Sequence, residues 1–284
     1  MKREIFYLMS GPAHLPYLVV SLWTLKNHWR GDVIVHAWPE SFNLLSIIAA
    51  DKRLRVSKIY CREPEYRGKN SQFLDKMKVA QQSRADVALY LDADTTIHGS
   101  LNPLFEMAED RGFTATQFCD WMTGGKIIRS RVRGLEAFGK IDKTLIDRAT
   151  QERWPSVNGG VWATPPNSPV LPAWYEWTLA AKKTFIADEK VLHLMMLRFC
   201  PDQMTVMCEN GKYNCSPMYQ SSKLTDEDVV IRHYHGDCNV RPGKSWKGHD
   251  LWMPLFKKCL IEDVGGMDRW IDNVKNKFLR RLRK

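Results

Sequence analysis

The sequence predicts an α/β fold: a mostly parallel, Rossmann-like central sheet flanked by helices on both faces. Three observations carry this. Short, nearly continuous apolar runs recur through the first 92 residues, as strands buried on both faces require. Segments with apolar residues at helical spacing separate them. The resulting β-α-β-α-β-α-β order is the one that crossover helices join into a parallel sheet. The 284 residues are expected to form one domain over 1–260, followed by a basic amphipathic helix over 261–284.

Taken in order, "EIFYLMS" reads as a buried strand and "PYLVVSLWTLKNHW" as a helix. "DVIVHAW" is a second strand, "SFNLLSIIAADKR" a helix opened by a Ser cap, and "VSKIYC" a third strand. "SQFLDKMKVAQQSR" is then a helix, and "VALYLD" the fourth strand. In the second half, "VNGGVWATPPN" reads as a strand leaving a glycine turn, because Asn-Gly is a strong turn dipeptide. "SPVLPAWYEWTLAAKK" and "ADEKVLHLMMLRF" follow as helices, "DVVIRHYHG" as a strand ending in histidines, and "MDRWIDNVKNKFLRRLRK" as the C-terminal helix.

At 44% apolar residues the chain is globular rather than disordered. No apolar run reaches the ~18 residues of a membrane span. No secretory leader opens the sequence, so a cytoplasmic protein is expected. The seven cysteines (61, 119, 200, 208, 215, 238, 259) are odd in number and form no CxxC pair. That argues against a disulfide framework and a cysteine zinc site, with a pairing of Cys208 and Cys215 across the turn "ENGKYN" as the alternative. The net charge of +10 suits an anionic partner: nucleic acid, an anionic membrane surface or a phosphorylated substrate.

The chemistry begins at "VALYLDADTTIHGSL", where Asp92 and Asp94 end a buried strand. On an extended backbone residues two apart point the same way. Two adjacent carboxylates repel unless a cation joins them, and Mg²⁺ or Mn²⁺ is the ion that bridges carboxylates to phosphate oxygens. The bland alternative is a solvated acidic turn. Placement favours the metal, because ligands in parallel sheets bind beyond the carboxyl ends of the strands.

"LDADT" followed by "GSLNPLFE" resembles the donor-site segment of GT-A nucleotide-sugar glycosyltransferases, in particular the retaining group of glycogenin and the bacterial lipopolysaccharide galactosyltransferases. Four further segments occur in that family's order. In "DKMKVAQQSRADVALYLDAD", Lys76 stands where the family carries a basic residue that reaches the donor, and Lys78 is expected to point elsewhere. "VNGGVWATPPNS" is similar to the family's Asn-Ser-Gly-Val segment with Gly159 in place of Ser, so Asn158, Gly159 and Gly160 would line the sugar pocket. "ADEKVLHLMM" is similar to its Asp-Gln-x-x-Leu-Asn helix start, with Asp188 on sugar hydroxyls and Glu189, in place of Gln, near the reacting carbon. "VVIRHYHGDCNVRPGKSW" is similar to its His-Phe-x-Gly-x-x-Lys-Pro-Trp segment. There His233 would be the third metal ligand, His235 would sit beside it, Gly236 would lie at the donor, and Lys244 or Arg241 would face the diphosphate.

The resemblance thus implies a metal set of Asp92, Asp94 and His233, and the imidazole favours Mn²⁺ over Mg²⁺. Asp188, Glu189 and Asn158 are the candidate catalytic residues. Met9, Ser10 and Gly11 would hold the base of a UDP-sugar, with Ala93 between the two metal aspartates. Transfer of a hexose with retention is the implied reaction. A nucleotidyltransferase would want a glycine-rich basic loop after the first strand, which "SGPAHLPYLV" lacks. A non-catalytic nucleotide-sugar binder is the remaining alternative.

Two basic segments bear on the acceptor. "GGKIIRSRVRG", residues 124–134, has four cations and no acid, and Trp121, Trp154 and Trp162 interleave with the cations of that region. The C-terminal helix carries Ile271, Val274, Phe278 and Leu282 on one face. The interior segment points to DNA carrying hydroxymethylated bases, the acceptor favoured here. The terminal helix points instead to an anionic membrane surface and a lipopolysaccharide or glycolipid acceptor.

Overall fold

The computed structural model describes residues 1–66, 68, 71–119, 144, 145, 147, 154–184, 186–235 and 246–274, with the side chains of 119 and 246 set aside. A seven-stranded sheet runs in the order β3-β2-β1-β4-β7-β6-β8. Its strands are β1 (Arg3–Met9), β2 (Asp32–Ala37), β3 (Lys58–Cys61), β4 (Val87–Leu91), β6 (Phe113–Cys119), β7 (Ser156–Thr164) and β8 (Met204–Met207). The first four are parallel, Ile5 lying beside Val33 on one side and Leu89 on the other. Strand β7 is antiparallel to both β4 and β6, and β8 is parallel to β6. The expected parallel half is therefore present, and the irregular second half supplies a mixed extension.

Helices cover both faces. On one lie α1 (Leu15–Leu25), α2 (Pro39–Ala50), α4 (Asn102–Arg111) and α7 (Trp246–Ile261); on the other lie α3 (Ser71–Gln81), α5 (Val170–Ala180) and α6 (Ala187–Phe199). Strand β1 shows why its apolar run is unbroken: Ile5, Tyr7 and Met9 enter the first core, and Phe6 and Leu8 the second. The chain moves outward from β1 through β2 to β3, then returns to β4 on the other side of β1. This reversal is a switch point, and it opens a crevice at the carboxyl ends of β1 and β4.

Three local expectations are corrected. Helix α2 begins at Pro39 with Trp38 at its N-cap, so Ser41 lies inside the first turn, buried, and is no cap. Proline at the first helical position, with its φ already helical, sets that start. The glycines of "VNGG" lie within β7 rather than in a turn before it. Trp162 is fully buried among Phe113, Tyr90 and Trp174, so it is no surface aromatic beside the cations.

The C-terminal region is part of the core. Trp252 of α7 packs on Tyr17, and beyond α7 residues 267–274 are helical, with Met267, Trp270 and Val274 buried and Ile271 packed against them. The apolar face expected to meet a membrane is turned inward over the described part, joining the core that α1 and α2 also line. Phe278 and Leu282 lie outside the described residues, as do 124–134 and Trp121. Among the described residues no helix is long and apolar enough to cross a membrane. Cys208 and Cys215 are both free, the first exposed and the second buried.

Asp51, after α2, ties this region down by accepting from the Gly265 N–H at 2.8 Å and from Arg53 at 2.6 Å. Burial pushes its carboxyl up, but the Arg53 guanidinium and the two backbone N–H groups outweigh that and hold it down to about 2. A depressed carboxylate adds stability above its unfolded value, and that is lost as pH falls through the folded one. Wild-type protein is therefore expected to lose about 2 kcal/mol from this group between about pH 4 and pH 2. Acid denaturation of wild type against Asp51→Asn checks this: the variant should lack that component.

Candidate active site

The metal set is assembled by a turn and a ribbon. Strand β4 ends at Leu91, and the Thr95 N–H closes a turn on the Asp92 carbonyl at 3.2 Å. Asp92 and Asp94 therefore converge through a turn, not along an extended strand as expected. The chain then enters β5 (Thr95–Ile97), which pairs antiparallel with β9 (Ile231–His233) and sets Thr95 opposite His233. His233 Nε2 lies 3.5 Å from Asp92 Oδ2 and 3.3 Å from Asp94 Oδ1. One ligand atom from each of the three lies within 4.8 Å of the others.

These residues fit a divalent ion. Cis ligands of an octahedral ion with bonds of about 2.1 Å lie about 3 Å apart. Burial lifts the Asp92 carboxyl above its ordinary range, and Asp94 adds to this against Lys76 and His233. The imidazole of His233, only 3% exposed, is pulled down by burial but raised overall by Asp94 and Asp92. A cation would relieve both strains. Tyr90 donates its hydroxyl to Asp92 Oδ1 at 2.5 Å and so orients that carboxylate.

The glycine pair explains itself against this cluster. Pairing between β6 and β7 is interrupted after Ala115–Trp162 and resumes at Thr116–Asn158, leaving 159–161 as a bulge. Four of the backbone groups there have partners that hold the bulge in place. Asn158 Oδ1 accepts from the Gly160 N–H at 2.8 Å, and the Gly160 carbonyl accepts from the Asp92 N–H at 2.8 Å. The Gly159 carbonyl accepts from Lys76 Nζ at 2.8 Å, and the Val161 carbonyl from Thr116 Oγ1 at 2.7 Å.

A Cβ on Gly160 would lie 2.2 Å from His233 Cε1 and 2.6 Å from Asp92 Oδ2. One on Gly159 would lie 2.8 Å from Lys76 Nζ and 2.9 Å from Asp188 Oδ2. Gly160→Ala is expected to weaken any divalent-ion binding at this cluster at least tenfold and to cost about 1–3 kcal/mol, read by metal titration and thermal unfolding.

Helix α6 brings the other acids. Asp188 and Glu189 occupy its first turn, where the helix dipole favours negative charge. Lys76 Nζ meets Asp188 Oδ2 at 2.5 Å, with 3% and 6% of the two side chains exposed. Lys76 is thus no solvated lysine, whereas Lys78 sits over the Tyr175 ring, turned away as expected. Glu189 Oε2 accepts from Asn158 Nδ2 at 2.8 Å.

The result is a cavity of about 620 Å³ lined by Ser10, Lys76, Asp92, Ala93, Asp94, Asn158, Gly159, Gly160, Asp188, Glu189 and His233 together. Of the first-strand trio, Met9 is buried in the core and Gly11 does not line the cavity. Gly236, Arg241 and Lys244 lie outside the described residues. The sequence alone did not point to Leu8, His14, Gln72, Phe73, Tyr90 and Ile186 in the lining. Gln72 and Phe73 stand one helical turn before Lys76, a periodicity that would have found them.

No protein-family model matches the sequence, and no curated protein matches it. Among solved structures, the galactosyltransferase LgtC in complex with donor and acceptor sugar analogues superposes with a TM-score of 0.60. The match is 17% identical and covers 90% of this chain and 95% of that one. An active-site mutant of LgtC, with glutamate replacing a glutamine, matches with the same TM-score, 0.60, identity and coverage. What is shared at that identity is the fold: this chain has the GT-A fold, with its acidic pair at the carboxyl end of β4.

Proposed function

We propose that the chain is a metal-dependent glycosyltransferase that moves a hexose from a UDP-sugar to a hydroxyl of a saccharide acceptor, with retention at the anomeric carbon. The observation that carries this is the joining, in one cavity of the GT-A fold, of an Asp-Asp-His ligand set with the Lys76, Asn158, Asp188 and Glu189 cluster. Asp92, Asp94 and His233 would hold Mn²⁺, the imidazole favouring it over Mg²⁺. When bound, the ion would neutralise charge growing on the leaving diphosphate.

The chain's own residues supply orientation and polarity. Lys76 keeps Asp188 paired and aimed into the cavity, where its carboxylate is placed to accept from sugar hydroxyls. Asn158 fixes the Glu189 carboxylate, and Tyr90 fixes that of Asp92. Glu189 stands where the resembling family has glutamine, and the LgtC mutant with glutamate at an active-site glutamine retains the fold.

LgtC was solved with an acceptor sugar analogue, which supports a saccharide acceptor, lipopolysaccharide or glycolipid included. The hydroxymethylated-DNA reading draws no support from the described residues: its basic segment lies outside them, and Trp162 is buried. Incubation with UDP-glucose or UDP-galactose and Mn²⁺ is expected to release UDP, to stop on chelation, and to accelerate with a saccharide acceptor. Absence of UDP release with saccharides, glycolipids and hydroxymethylated DNA alike would end the reading. Acceleration by the modified DNA alone would reassign the acceptor.

A further inference from the structure

Behind the metal set runs a chain of buried hydrogen bonds whose donors and acceptors can be assigned one by one. The Val161 carbonyl, freed by the β7 bulge, can only accept, so the Thr116 hydroxyl donates to it at 2.7 Å. Thr116 Oγ1 is then left to accept, and it takes Asn214 Nδ2 at 2.9 Å. With its NH₂ committed there, and directed also towards Asn158 Oδ1 at 3.5 Å, Asn214 must present Oδ1 on its other side. That oxygen lies 2.8 Å from His233 Nδ1. A carbonyl oxygen has no proton to give, so Nδ1 must carry one. Thr116 and Asn214 are fully buried, so water does not compete for these bonds.

We propose that Thr116 and Asn214 are positioning residues that lock the His233 imidazole in its Nδ1–H tautomer and turn the Nε2 lone pair towards Asp92 and Asp94. The inference rests on the metal-site reading above and adds a determinant of metal choice to it. A fixed nitrogen donor favours an ion that accepts imidazole, and the two carboxylates alone would suit Mg²⁺ equally well. The same bulge that brings Gly160 against the site thus creates the carbonyl from which the tautomer is set.

The test uses Thr116→Val, which preserves shape while freeing the Asn214 amide to turn over, and Asn214→Leu, which removes the acceptor. Nitrogen NMR of the histidine rings in metal-free protein at mildly alkaline pH reads the tautomer directly. The wild type is expected to show Nδ1–H at His233, and Thr116→Val a mixture. Mn²⁺ affinity by EPR titration is expected to fall about tenfold or more in Thr116→Val, while Mg²⁺ affinity falls much less. Should Asn214→Leu fail to fold, Thr116→Val decides alone. A neutral ring protonated at Nε2 alone in the wild type, an unchanged tautomer and Mn²⁺ affinity in Thr116→Val, or equal losses for both ions would overturn the proposal. Wild type that binds no Mn²⁺ but shows the Nδ1–H ring would refute the metal reading and leave the tautomer lock standing.

Discussion

Asp94→Asn is expected to lower UDP-hexose turnover by about 10³-fold or more, while the metal-free protein keeps its stability to within about 1 kcal/mol. The two halves of this result have separate causes. Loss of one carboxylate would remove a proposed ligand and the charge that would hold a divalent ion on the diphosphate, so stabilisation of the leaving group would go with it. In the metal-free protein the same change removes the contact with His233 at 3.3 Å, but also the repulsion that helps lift Asp92. These oppose, and little net effect remains. Wild-type protein should gain about 2.7 kcal/mol at an Mn²⁺ concentration a hundredfold above its Kd, and the variant should gain none there. Thermal unfolding with and without Mn²⁺, beside UDP release, measures all three quantities. Wild-type turnover in the variant would remove Asp94 from the chemistry.

The second large effect is expected at Lys76. Lys76→Ala leaves the Asp188 carboxylate, 6% exposed, without its cation at 2.5 Å. An uncompensated buried charge costs about 3–5 kcal/mol. The Gly159 carbonyl loses its lysine donor in the same step and keeps only Trp162 Nε1, at 3.1 Å. The double variant Lys76→Met with Asp188→Leu should recover most of that stability, because matched apolar groups in place of a buried pair are often neutral or better. It should not recover turnover, since the acid proposed to accept from the sugar hydroxyls is gone. Urea midpoints separate the structural share of the pair from its catalytic share. An unchanged midpoint for Lys76→Ala would show that the pair contributes nothing to folding.

The parts legible in the sequence are those written in local periodicity. Strands β1 to β4 and helices α1 to α3 follow from apolar runs and helical spacing carried within each short segment of the chain. The Asp92–Asp94 pair was readable as a strand-end motif, although the turn that brings the carboxylates together was not. Features set by distant partners stayed hidden. The β7 bulge depends on Thr116 and Asp92 satisfying its carbonyls. Asn214 acts only through His233, nineteen residues on, and Thr116, almost a hundred before, so "KYNCSP" carries no trace of it. The inward turn of Ile271 and Val274 required the distant core they join, without which an amphipathic basic helix reads equally well as a membrane element.

The most direct measurement is a crystal structure of the protein soaked with Mn²⁺ and UDP, with the ion located by its anomalous scattering. One Mn²⁺ is expected about 2.2 Å from a carboxylate oxygen of Asp92, a carboxylate oxygen of Asp94 and His233 Nε2, with the UDP diphosphate completing its shell. UDP bound with no ion between these three side chains, or Mn²⁺ bound elsewhere on the chain, would contradict it.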